Sequence, residues 1–278
     1  MIFENLALNY KNRKYFERLK SIDLKIMNYK AVTELLSQNE QYNNFSENSF
    51  QIGFDTNRKK KPNLITFFNT YSYYKLFDSD CNLDRFHVFL LDGKLQVILH
   101  NVFHKNKVKR ASFDFSSIAH EFFEYSQSKN LRIVLIGASA EEIVIAVKNL
   151  HKKYPSLKIV YSRDGYFQSE SEKQSLCGIL KEKNPDVIIL GMGAPAQEEY
   201  AIYLHDNGLL CTVITCGGFF TQTSLKTDYY NPIIKKTGLR WLQRLIQFKH
   251  VRRRLLIDYP KNIIRYLMEH IWTQVIKI

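Results

Sequence analysis

Between Leu131 and Thr215 the chain alternates short apolar runs with amphipathic stretches, and few architectures accept that spacing. Leu131–Ile136 is an apolar run that closes on Gly137. Ala140–Lys153 follows, with Ile143, Val144, Val147 and Leu150 on one helical face. The strand pattern returns at Leu157–Tyr161, Asp186–Leu190 and Leu209–Thr215, and the helical pattern at Glu170–Lys183 and Gln197–Asn207. Such runs, each followed by a helix, build βαβ units and a parallel sheet covered on both faces. Upstream, Leu64–Phe68 and His87–Leu91 read as two more strands, with helices at Tyr71–Asp80 and Ser117–Gln127. The expected fold is an open, mostly parallel, Rossmann-like α/β sandwich over residues 1–230, with a helical appendage over 231–278. Ligands of such sheets gather beyond the carboxyl ends of the strands.

The appendage is set apart by its charge. Of the formal net charge of +13, the segment from Asn231 onward carries +9, with eleven Lys and Arg against Asp258 and Glu269. Such an excess suits an anionic partner: nucleic acid, anionic lipid or a phosphorylated ligand. A solvated helix face is the plain alternative. Arg240 and Arg244 share one helical face in this segment, and Pro260 is expected to break or kink the chain. Beyond it Ile264, Leu267, Met268, Ile271, Trp272 and Val275 form an apolar stripe that either packs on the domain or lies in a membrane interface. No stretch approaches the roughly 20 apolar residues that span a bilayer. The opening residues lack an apolar segment with a small-residue cleavage site. Four cysteines without CxxC spacing, with Cys211 and Cys216 read as buried thiols, suit a reducing compartment. A cytoplasmic protein is expected.

The residues after each strand carry the chemistry. Asp186–Leu190 runs into GMGAPAQEEY, where Gly191 and Gly193 allow close backbone approach and Pro195 suits the first turn of the next helix. The N–H groups at that helix start favour an anion such as a diphosphate, although a tight turn without ligand fits the same residues. Gln197 can bond a hydroxyl-rich ligand, and Glu198 either does likewise or simply favours the helix dipole. Gly217-Gly218 forms a second close-approach turn. After Arg163-Asp164, Gly165 permits a tight turn, and Tyr166 or Phe167 either stacks on a base or belongs to the core. Asp92 ends its strand as a general base or as one half of an Asp-Gly turn. Asp78-Ser79-Asp80 looks like a metal-holding DxD pair, but it lies in a helical stretch and reads as surface. No zinc spacing, P-loop or GxSxG is found, and no metal ligands are assigned.

Taken in order, RDGYF, NPDVIILGMGAPAQEEY, ITCGGFF and GLRWLQRLIQFKHVRRRL resemble the WecG/TagA/CpsF family, glycosyltransferase family 26. That family shows a GYF turn, a strand followed by GxGxPxQE, a Gly-Gly-x-Phe turn and a basic GLEWLxRL segment. The similarity runs from about Leu64 to Tyr259. Asn69 matches the family's strand-end Asn. Asp92 matches the Asp of its PDG motif, the catalytic base there, with Leu91 replacing the proline. Arg110 matches an arginine shortly downstream, in a variant reading Arg-Ala-Ser-Phe-Asp, and Gln197 matches the glutamine of the GxGxPxQE turn. Arg240 departs from the commoner glutamate, whereas Arg244, Arg252, Arg253 and Arg254 match the basic appendage.

The resemblance implies a metal-independent, inverting hexosyltransferase with no cofactor. Its donor would be a UDP-sugar of the N-acetylmannosamine, uronate, glucose or glucuronate type. Its acceptor would be a polyprenyl-diphosphate-linked saccharide at the inner membrane face, in surface polysaccharide synthesis. Asp92, Gln197 and Arg110 would be catalytic. Asn69, Gly137, Gly165, Tyr166, Phe167, Gly191, Gly193, Pro195, Glu198, Gly217, Gly218, Arg244, Arg252 and Arg253 would bind substrates. The appendage would both complete the site and meet anionic lipid. Oligomeric state is left open, a homo-oligomer included. The rival reading is a non-catalytic nucleotide-binding α/β protein with a nucleic-acid-binding tail; the lack of base-stacking motifs beyond scattered Tyr and Phe argues against nucleic acid.

Overall fold

The computed structural model describes residues 63–105, 107–225 and 252–276. Its strands are β1 (Leu64–Phe68), β2 (Val88–Leu91), β3 (Ile133–Gly137), β4 (Ile159–Arg163), β5 (Val187–Gly191) and β6 (Thr212–Thr215). They form one sheet in the order β2–β1–β6–β5–β3–β4, with every pair parallel. The described helices are α1 (Thr70–Phe77), α2 (Lys94–Phe103), α3 (Ala119–Ser128), α4 (Ala140–Lys153), α5 (Glu170–Lys183), α6 (Ala196–Asp206), α7 (Phe219–Leu225) and α8 (Tyr259–Ile276). The open α/β sandwich expected from the alternation is the fold observed.

Alternate residues of each strand feed two cores. Leu64, Phe68, Phe89, Leu91, Val134, Ile136, Ile188 and Leu190 meet α1, α2, α5, α6 and α8. Ile65, Leu90, Ile133, Leu135, Val187, Ile189 and Ile214 meet α3, α4 and α7 on the opposite face. Because α1 and α6 leave toward the first face and α4 and α7 toward the second, the loops diverge and open the carboxyl edge of the sheet.

Several boundaries differ from expectation for local reasons. β4 begins two residues late because Leu157 N–H turns back onto the Tyr154 carbonyl at 3.1 Å. β6 begins at Thr212 because Leu209 N–H closes the end of α6 on the Leu204 carbonyl at 3.0 Å, with Gly208 at φ 81°. α1 ends at Phe77, where the Ser79 hydroxyl takes the Leu76 carbonyl at 2.7 Å. α2 was not expected. It buries Gln96, Leu99 and His100 and leaves Ile98 and Val102 exposed, so no single apolar face advertises it. α7 likewise stands where only a turn was expected.

The chain passes Pro260 without a break. Residues Arg254–Asp258 wind as a π-turn, with Tyr259 N–H reaching the Arg254 carbonyl, and α8 continues from there. A wider turn relieves the clash between the proline ring and the preceding helical carbonyl. α8 packs on α1 and α2 through only part of the expected stripe: Leu267 packs on the core, with Ile263 beside it. Asn262, Tyr266, Glu269 and His270 are buried, whereas Ile264, Ile271 and Trp272 are exposed. The inward face thus mixes aromatic and polar side chains with these two aliphatic ones. Tyr266 lies between Tyr73, Phe103 and the stacked ring of His270.

Candidate active site

At the end of β1, Asn69 caps α1. Its Oδ1 accepts from the N–H groups of Tyr71 and Ser72, both at 2.9 Å, while the Ser72 hydroxyl accepts from Asn69 N–H at 3.0 Å. Beside it β2 ends on Asp92, whose N–H bonds the Phe68 carbonyl. Gly93 follows at φ 93°, and a Cβ there would lie 3.5 Å from that of Asn69. The loop before α3 then returns along β2, with Ala111 N–H on the Leu91 carbonyl at 2.9 Å, and brings Arg110 to Asp92 at 2.9 Å. The same guanidinium nitrogen reaches Asp114, also at 2.9 Å. Burial works against the charge of Arg110, yet Asp92 and Asp114 hold it above the ordinary guanidinium range. Burial likewise opposes the Asp114 carboxylate, but Arg110, Ser112 and Ser116 hold it below the usual value.

The glycine turns divide into two kinds. Gly137 and Gly191 face each other across β3 and β5, where a Cβ on Gly137 would come within 2.5 Å of the Gly191 carbonyl oxygen. Gly165 packs against Gly137 and Met192, and Gly191 against Phe220 and Cys216. These three serve the fit of strand end against strand end. Gly193, at φ 76°, and Gly217, at φ 56°, have open space where a Cβ would stand, so they leave room for a ligand at the backbone. The Ala194–Pro195 peptide is cis, and Pro195 is the N-cap residue of α6.

Gln197 and Glu198 are both buried. Gln197 donates to Glu198 Oε1 at 2.8 Å and accepts Gly217 N–H at 3.2 Å, which ties the β5 turn to the β6 turn. Glu198 Oε1 also accepts from the Thr66 hydroxyl at 2.8 Å, and Thr66 bonds Thr215 across β1 and β6. Burial pushes the Glu198 carboxyl up to about 7. Its Oε2 is buried and, among the described residues, has no hydrogen-bond partner.

The appendage reaches this edge through Arg254, whose guanidinium lies 4.3 Å from the Tyr71 ring centroid, two residues past Asn69. Lys75 joins the same ring to the β5 turn by donating to the Ala194 carbonyl at 3.3 Å. Arg252 and Arg253 precede Arg254 and are exposed; Arg244 lies outside the described residues. Asn69, Asp92 and Arg110 therefore form one group at the ends of β1 and β2, and Gly191, Gly193, Pro195, Gln197, Glu198, Gly217 and Gly218 a second at the ends of the adjoining β6 and β5. Tyr166 is exposed at the end of β4, whereas Phe167 packs on Tyr200 at 4.9 Å and beneath Arg163 at 4.6 Å. Asp78 pairs with Arg265 at 2.6 and 2.8 Å, far along α1 from the strand ends. Cys216 is half-buried as a residue, but its thiol is buried as expected, and burial pushes it well above the ordinary thiol value; all four cysteines are free. Sequence reasoning missed Tyr71, Lys75, Thr66, Thr215 and the pairing of Asp114. Only Asp114 left a signal, by its spacing from Arg110.

The sequence matches the family described as "Glycosyl transferase WecG/TagA/CpsF family" over residues 44–275. It is 44% identical over 213 residues to the UDP-Gal:alpha-D-GlcNAc-diphosphoundecaprenol beta-1,4-galactosyltransferase of Shigella boydii, covering 77% of this chain and 89% of that one. It is 25% identical over 183 residues to the N-acetylglucosaminyldiphosphoundecaprenol N-acetyl-beta-D-mannosaminyltransferase of Bacillus subtilis (strain 168), covering 65% and 69%. A protein of that same name from Staphylococcus aureus (strain NCTC 8325 / PS 47) is 30% identical over 138 residues, covering 48% and 52%. All three names contain an N-acetylglucosaminyl group on diphosphoundecaprenol, while the sugar transferred differs.

Proposed function

Because the chain belongs to the WecG/TagA/CpsF family of glycosyl transferases, we propose that it moves a hexose, with inversion, from a UDP-sugar to a polyprenyl-diphosphate-linked N-acetylglucosamine in surface polysaccharide synthesis. The acceptor is the element common to the relatives' names. UDP-galactose is the first donor to test, since the relative at 44% identity uses it. Galactose lies outside the donor sugars that the sequence motifs suggest.

The observation that carries the chemistry is Asp92, a part-exposed carboxylate at the end of β2, held by Arg110 and facing the open carboxyl edge. Its carboxylate takes the proton of the acceptor hydroxyl as that oxygen bonds the anomeric carbon. The bond from that carbon to the UDP oxygen breaks on the opposite side, and its electron pair leaves with the diphosphate. The charge gained is met by the backbone of Gly191–Gly193 and by the arginines of the appendage, whose guanidinium forks suit phosphate oxygens. The exposed side of the appendage, with Leu256, Ile257, Ile264, Ile271 and Trp272 beside Arg252 and Arg253, turns to the anionic inner membrane face where a lipid-linked acceptor resides. Among the described residues no helix is long and apolar enough to cross a membrane, which suits a peripheral attachment.

Asp92→Asn tests the assignment. Turnover should fall by about 100-fold or more while UDP affinity stays near wild type. A variant that turns over at the wild-type rate would remove Asp92 from the mechanism.

A further inference from the structure

The charged corner beside β2 has a third member that the chemistry above leaves unused. One nitrogen of Arg110 bridges Asp92 Oδ1 and Asp114 Oδ2 at 2.9 Å each. Asp114 is the deeper of the two carboxylates, at 11% side-chain exposure against 28% for Asp92. It is also held from every side. The Ser112 and Ser116 hydroxyls donate to its oxygens, and Ser116 N–H adds a bond at 2.8 Å. Its own carbonyl accepts from Ser117 and Ala119 N–H at 3.0 and 3.1 Å. Phe113, the preceding residue, is buried among the rings of Phe67, Phe122, Phe123 and Phe219. The segment Ser112–Asp114 is thus a fixed post, and the Arg110 guanidinium leans on it.

We infer that Asp114 is a positioning residue of the transfer reaction: it aims Arg110 at Asp92 and shares its charge, so that Asp92 is oriented without being spent as a base. The inference rests on the reading of Asp92 as the general base. A carboxylate paired alone with a guanidinium is stabilised in its charged form and is a weaker base for it. A guanidinium already shared with a second, buried carboxylate attracts the first one less, yet still fixes its direction. Among the described residues, the charged groups that act on Arg110 are Asp92 and Asp114, and the one that acts on Asp114 is Arg110. Ser112 and Ser116 add neutral hydroxyl donors to the Asp114 side chain, so the charge balance among these residues lies within this trio.

The test is the pH profile of kcat/KM for the full chain, with UDP-galactose and a short-chain N-acetylglucosaminyl-diphosphate lipid. Wild type, Asp92→Asn, Asp114→Asn and Ser112→Ala are compared, and UDP affinity is measured by calorimetry. Asp114→Asn leaves Arg110 wholly to Asp92. Its kcat should fall about 10-fold, its donor KM and UDP affinity should stay within about two-fold, and the acid limb of its profile should move to lower pH. Ser112→Ala, which removes one support of Asp114 and keeps its charge, should move kcat in the same direction by a smaller factor. An acid limb that stays put in Asp114→Asn overturns the proposal even if activity drops, because that assigns the residue to the fold alone. If Asp114→Asn does not fold, an unchanged kcat in Ser112→Ala overturns it instead. Wild-type turnover by Asp92→Asn is a separate result, and it removes the base itself.

Discussion

Glu198 is a fully buried carboxyl group whose hydrogen bonds fall on one oxygen. Thr66 and Gln197 both serve Oε1, Oε2 has no hydrogen-bond partner among the described residues, and burial raises the group from an ordinary 4.5 to about 7. A carboxyl whose folded value is raised adds stability that is fully present below the unfolded value. That stability is lost as pH rises through the folded one. The window here is therefore about 4.5 to 7, and the loss across it is on the order of 3 kcal/mol at most. Gln at this position keeps an acceptor for both Thr66 and Gln197 and carries no charge. Melting temperatures followed from pH 5 to 8 should decline in the wild type relative to Glu198→Gln. Parallel curves would show that Glu198 does not hold its proton in the folded protein. The sequence placed Glu198 at a ligand turn, but whether its side chain points at ligand or protein depends on Thr66, more than 100 residues away in the chain.

Among the elements, α8 owes its position to a buried polar lock more than to its apolar stripe. Glu269 is fully buried, accepts from Tyr74 Oη at 2.6 Å and pairs with Arg265 at 2.8 Å; Arg265 in turn holds Asp78. Asn262 adds a bond to the Thr70 carbonyl at 2.8 Å, close to the Asn69 cap. Removing one partner of a buried ion pair strands the other, at a cost of roughly 3–5 kcal/mol. Arg265→Ala should therefore lower the melting temperature and speed proteolysis in the appendage, whereas Ile264→Ser on the exposed side should do neither. Equal behaviour of the two variants would mean that the lock does not hold the helix. The same lock explains what was legible in advance. The strands of the sheet could be read because both their faces are apolar, which leaves a continuous run of Ile, Val and Leu. α2 and the inward face of α8 could not, because their buried residues include Gln96, His100, Asn262, Glu269 and His270, polar side chains that an apolar pattern does not announce; the partners that make Asn262 and Glu269 tolerable lie far away in the chain. Asp78 reads as a surface residue in the sequence, but its arginine partner lies 187 residues downstream.

At the scale of the whole molecule, the lock fixes where the exposed apolar side of α8 lies relative to the candidate site. The π-turn that leads into α8 sets Arg254 over Tyr71, beside the strand ends, and α8 then runs along α1 past Thr70 to Asp78. The exposed stripe of turn and helix, Ile257, Ile264 and Ile271 at seven-residue intervals, therefore starts at the rim of the candidate site. A surface that received this stripe would deliver a lipid-anchored diphosphate to the edge where Asp92, Gly193 and Gly217 are open. Two terms should contribute. The +9 segment attracts anionic headgroups at about 1 kcal/mol for each basic side chain near the surface. Each isoleucine that leaves water adds roughly 1.5–3 kcal/mol when fully buried, and less in a partly wet interface. The full chain should float with vesicles containing phosphatidylglycerol, bind neutral vesicles far less, and be released as salt rises. Ile257→Ser, Ile264→Ser and Ile271→Ser combined should lower partitioning by about 100-fold, while turnover of a water-soluble acceptor stays near wild type. Equal binding to neutral and anionic vesicles would sink the electrostatic term, and undiminished flotation of the triple variant would move the membrane contact to another face.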